Sequence, residues 1–132
     1  MAKMDLTHFN FDGTFNGDQI MTVGHNRQIR KCRGPVSNRL RIACYLHGNL
    51  IATFERLSAT HCEVMLSTCG YMTTTTRRAM NDFIGAMGIK GRVSFAGGTM
   101  TVRHHANSGY NKESENSLGI ALFTTEYGKV FA

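Results

Sequence analysis

The stretch Arg39-Leu40-Arg41-Ile42-Ala43-Cys44-Tyr45-Leu46 alternates strictly, placing Leu40, Ile42, Cys44 and Leu46 on one face. A period of two is that of a half-buried strand; no helix holds those four residues on one side. His47-Gly48-Asn49 follows as a turn, and Leu50-Ile51-Ala52-Thr53-Phe54 returns, so residues 39–56 read as a β-hairpin. Cys62 to Ser67 adds a third strand of mixed pattern, which makes an antiparallel meander.

The period then changes. Met80, Phe83, Ile84 and Met87 fall at i, i+3, i+4 and i+7, a single apolar stripe that predicts a helix over about 76–87. Thr75 or Thr76 suits the N-cap, and Gly88 suits a left-handed close. Beyond it, Arg92–Phe95 and Thr99–Arg103 flank Ala96-Gly97-Gly98 as a second hairpin. The expected fold class is therefore α+β: an antiparallel β meander, one amphipathic helix packed on it, then a β hairpin. One domain accounts for 132 residues. Within it, 1–38 reads as an N-terminal basic β arm set off by Gly34-Pro35, and 39–103 as a βββαββ body. The polar run 104–117 reads as a flexible loop and 118–132 as a C-terminal strand.

Several function classes lack their signatures. No apolar run approaches the length of a membrane span, and the opening residues lack the apolar region of a secretory signal, so the cytoplasm is the expected location. Four cysteines at 32, 44, 62 and 69 form no C-x-x-C pair, so no metal is expected; Cys44 and Cys62 read as small buried hydrophobes. No nucleophile elbow, phosphate loop, zincin or dinucleotide motif occurs. His47 and His104–His105 are the general-base candidates, each read as a turn or surface residue. A binding protein without cofactor is the expectation, not an enzyme.

Charge points to what is bound. Fifteen Lys and Arg stand against nine Asp and Glu, a net charge of +6. Arg27, Arg30, Lys31, Arg33, Arg39 and Arg41 crowd one stretch with no acid, which suits an anionic partner or, alternatively, a charged and solvated strand edge. At the predicted helix start, Arg77 and Arg78 sit where the helix dipole disfavours cations. Arg78 has Asp82 four residues on; Arg77 has no carboxylate at that spacing. Threonine hydroxyls, free amides and an arginine at a helix N-terminus make a workable phosphate site. The candidate ligand residues are Thr73, Thr75, Thr76, Arg77 and Asn81, with Tyr71 or Phe95 to stack on a base and Arg103 as a further cation.

From Arg39 to Arg103 the chain resembles a group of small phage-encoded proteins. Their pattern is a hairpin with an H-G-N-like turn, a strand, the motif G-[YW]-x-T-x-T-T-x-x-R-[hydrophobic]-N, and a short hairpin. Here the turn is His47-Gly48-Asn49 and the motif runs from Gly70-Tyr71 through Thr73–Thr76 to Asn81. The arginines at 77 and 78 precede Ala79, where the pattern has its Arg. In size and layout the chain also resembles the Thoeris anti-defence sponges. That likeness implies a homo-oligomer that binds a cyclic or otherwise phosphorylated nucleotide signal between subunits and sequesters it uncleaved. Two other expectations stand beside it: a DNA- or RNA-binding accessory protein using the basic 27–41 block, and a protein inhibitor of a host defence enzyme of the anti-restriction or anti-CRISPR type.

Overall fold

In the computed structural model, the residues described are Phe9, 19–105, 111–116 and 118–128. The meander expected from the alternating stretch is present and longer than its three predicted strands. Strands β1 (Gln19–Gly24), β2 (Arg27–Arg33), β3 (Leu40–Leu46), β4 (Asn49–Arg56) and β5 (His61–Ser67) pair antiparallel in sequence order. The chain then leaves the sheet for helix α1 (Thr74–Ala86) and strands β6 (Gly91–Ala96), β7 (Thr99–His105) and β8 (Asn111–Asn116). It returns as β9 (Ile120–Glu126), which pairs with β5 as the sixth strand.

Strand register puts one apolar row after another on the same face. Ile29, Cys44, Ala52, Leu66 and Ala121 are aligned across five strands, and Ile42, Phe54 and Val64 form the next row. All eight are buried. On this face lie Ala79, Met80, Phe83 and Ile84 of α1 with Val93, Met100 and Val102 of the second sheet, in a single core. Phe9 joins it, its ring 6.0 Å from that of Phe83. Each buried Val, Ile, Leu, Met or Phe of this core contributes about 1.5–3 kcal/mol through burial. The predicted helical stripe is the buried stripe. Cys44 and Cys62 are also buried as expected, and burial pushes the Cys62 thiol up to about 12 and raises that of Cys44, so both stay protonated.

Two local expectations are corrected, the cap of the helix and the polar stretch 104–117, and the basic segment is a strand as expected. The helix begins two or three residues early: Thr73 is the N-cap, its hydroxyl accepting from the Thr76 amide at 3.2 Å. Four threonines in a row offered several cap positions, and the extended backbone of Thr73 selects the first. The far end follows expectation, with Gly88 at φ +69 and the amides of Gly88 and Ile89 bonded back to Gly85 and Ile84, a Schellman close. The basic segment from Arg27 forms β2, paired along its length with β3. Within the polar stretch 104–117, residues 111–116 form β8 on the edge of the second sheet, directly opposite Met100–His105. The composition Asn-Lys-Glu-Ser-Glu-Asn is that of an edge strand defended by charge, which resembles a loop in sequence. Among the described residues, no helix is long and apolar enough to cross a membrane.

Candidate functional site

At one end of the six-stranded sheet three connections meet, each built on residues in the left-handed region. Asn26 at φ +57 lies in the β1–β2 turn, and the His47 amide donates to its carbonyl at 2.8 Å. His47 and Gly48, at φ +50 and +80, are the two central residues of the β3–β4 turn, since Leu46 pairs with Asn49. Two successive positive φ values define a type I′ turn, whose twist matches that of the strands. Cys69 and Gly70, at φ +52 and +84, repeat this geometry after β5, closed by the Tyr71 amide on the Thr68 carbonyl at 2.8 Å. The Cys69 thiol donates to the Leu50 carbonyl at 3.2 Å and so ties the second turn to β4.

Between these turns and the start of α1 lies a pocket of about 500 Å³. Leu46, His47, Asn49 and Ile51 from the β3–β4 hairpin form one wall; Thr68, Tyr71, Thr73, Thr75 and Thr76 form the other. Ile51 reaches it through a β-bulge: Tyr45 pairs with Leu50 and Cys44 with Ala52, which leaves Ile51 as the extra residue. Tyr71 is 58% exposed, so its ring is not a core plug. The first intrahelical bond joins the Arg77 amide to the Thr73 carbonyl, and Thr73 caps the Thr76 amide. The amides of Thr74 and Thr75 therefore have no intrahelical acceptor. The first turn carries no acidic side chain to offset the positive end of the dipole.

The candidate ligand residues divide into two groups. Tyr71, Thr73, Thr75 and Thr76 share the pocket. Arg77, Asn81, Phe95 and Arg103 do not line it. Asn81 is occupied in holding the fold: its amide nitrogen donates to the Val93 carbonyl at 3.0 Å and its amide oxygen accepts from the Val93 amide at 2.8 Å. It acts as one more strand residue, pinning α1 to β6, and is not available to a ribose. Phe95 is partly buried against the core, and Arg103 lies on β7 opposite Arg92. Asp82 does not pair with Arg78. It accepts from Arg27 of β2, fifty-five residues away in the chain.

The basic block is dispersed by strand alternation. Lys31 is aligned with Ile42 of the core row, whereas Arg30 is aligned with Ala43 on the opposite face. Arg27 is paired with Asp82, Arg41 with Glu55 at 3.3 Å, and Arg33 donates to the Asn38 carbonyl at 2.9 Å. Lys31 is only 7% exposed. These six cations do not form one continuous face. Sequence reasoning did not place Leu46, His47, Asn49, Ile51 and Thr68 among the ligand residues. The signal for two of them, His47 and Asn49, was present in the His47-Gly48-Asn49 turn, but bringing that turn to the helix start requires the pairing register of β3, β4 and β5.

No curated protein and no solved structure matches the chain. The sequence model of one protein family, described as Kyanoviridae Gp96 protein, matches residues 16–127, which span β1 through β9 and thus every wall of the pocket. The chain belongs to the Kyanoviridae Gp96 protein family and is a phage protein.

Proposed function

We propose that the pocket binds a phosphorylated nucleotide and that the protein acts as a non-catalytic phage binding protein, withdrawing a nucleotide signal of bacterial anti-phage defence from the host cytoplasm. The observation that carries this is the pairing, in one pocket of about 500 Å³, of the exposed Tyr71 ring with Thr73 and Thr75 at the uncapped start of α1. A phosphate at the Thr75 amide meets the positive end of the helix dipole, with Thr73 and Thr75 hydroxyls as further donors. Tyr71 offers a face on which a base stacks, and Leu46 and Ile51 give the pocket an apolar floor. Among the described lining residues His47 is the one imidazole, and no carboxylate, lysine or second histidine lines the pocket with it. Capture without turnover fits that set.

Isothermal titration against nucleoside monophosphates, cyclic mono- and dinucleotides and cyclic ADP-ribose isomers tests the proposal. The expected result is stoichiometric binding of at least one compound, recovered chemically unchanged after the protein is denatured. Absence of binding across the panel overturns it. The dispersed basic block favours this pocket over a nucleic-acid track, for which affinity would fall steeply with salt.

A further inference from the structure

Resting on that nucleotide reading, we infer that the pocket takes one nucleoside unit carrying a single phosphate and disfavours ligands that must place a second phosphate inside it. The wall is the reason. Among the described residues, none that lines the pocket is lysine, arginine, aspartate or glutamate. Its polar groups are hydroxyls, the Asn49 amide and the His47 ring, set among Leu46, Ile51 and Tyr71. Such a surface suits a heterocycle and a ribose, whose hydroxyls and ring atoms both donate and accept.

A second phosphate needs a compensating cation, because an anion removed from water without a partner carries a heavy desolvation cost. The nearest candidates do not supply one. Arg77 and Arg78 follow the wall threonines in sequence but do not line the pocket. Arg27, close by on β2, is held by Asp82. The volume agrees: about 500 Å³ lies in the lower half of the range for small-ligand sites, enough for one nucleoside unit.

The experiment titrates the full chain with nucleosides of all four bases, their 5′-monophosphates, 5′-diphosphates, 3′,5′-cyclic monophosphates and cyclic dinucleotides, at about 50 and 200 mM salt. A monophosphate, open or cyclic, is expected to bind tightest. The matching nucleoside should be within roughly tenfold of it, and the matching diphosphate and dinucleotide roughly tenfold or more weaker. The monophosphate affinity should change less than about threefold between the two salt concentrations, since no side-chain cation is engaged. Tyr71→Ala should weaken nucleoside and monophosphate by the same factor. A dinucleotide or diphosphate that binds as tightly as the monophosphate overturns the inference while leaving nucleotide binding in place. No binding by any compound removes both.

Discussion

The two flanks of helix α1 are built from the same nine-residue stretch, Thr73 to Asn81, and do opposite things. On the β6 flank, Asn81 spends both ends of its amide on the Val93 backbone, and the neighbouring volume is filled by Val93, Met100 and Phe83. On the pocket flank, Thr73 and Thr75 face about 500 Å³ of open space beside an exposed tyrosine. Satisfied hydrogen bonds and close packing fix the first flank; unsatisfied amides and exposed aromatic area mark the second. Polar residues on one helix are thus not equivalent candidates for binding. What separates them is whether the fold has already used their hydrogen-bonding capacity.

Four substitutions test this division. Asn81→Ala should have the largest effect, on stability alone: it strands the Val93 amide and carbonyl, at about 1–3 kcal/mol each. A drop of roughly 2–4 kcal/mol in a denaturant titration is expected, with nucleotide affinity unchanged under conditions where the variant is folded. Lost affinity without lost stability would move Asn81 back into the site. Tyr71→Ala should do the reverse. Loss of a stacking face costs about 1–3 kcal/mol of binding, or roughly tenfold to a hundredfold in Kd, with the melting temperature held. A destabilised but fully binding Tyr71→Ala protein would show the ring to be structural.

Thr73→Ala is expected to cross the division, because this residue both caps α1 and lines the pocket. Stability should fall by about 1 kcal/mol and affinity severalfold, and Thr73→Ser should restore the cap. Arg77→Ala should have the smallest effect. Its side chain is off the pocket wall, at the end of the helix where cations are disfavoured, so stability should change by less than about 0.5 kcal/mol and affinity by less than twofold. A hundredfold loss of binding would show that the arginine swings into the pocket when ligand arrives.

The order of elements in the body was legible because the hydrophobic periods are clear: two along Leu40–Leu46, 3.6 along Met80–Met87. β8 was not, because Lys112, Glu113 and Glu115 leave no apolar alternation, and an edge strand needs none. Nor was the start of α1 fixed, since Thr73 to Thr76 are chemically identical caps and only backbone conformation distinguishes them. At the site, Tyr71 and the threonines were found from turn and cap chemistry, which is local. Asn81 and Arg77 were included because a helix start looks like a phosphate site from its own sequence. The partner that claims Asn81 lies twelve residues away, and the one that claims Asp82 lies fifty-five away. Long-range partners of that kind leave no local signal.

The short β3–β4 turn has a consequence for how this pocket evolves. With two residues between paired strands, and the adjoining His47 amide and Leu50 carbonyl both bonded to other connections, there is no slack in chain length. One inserted or deleted residue would shift the register and carry Leu46 or Ile51 to the opposite face of the sheet. On the proposed reading of the pocket, a change of ligand must then proceed by replacement of side chains at positions such as 47, 49, 71 and 75, with loop length held constant. A lineage that changes its ligand should show point substitutions there and gaps elsewhere, most readily where the chain carries no wall of the pocket.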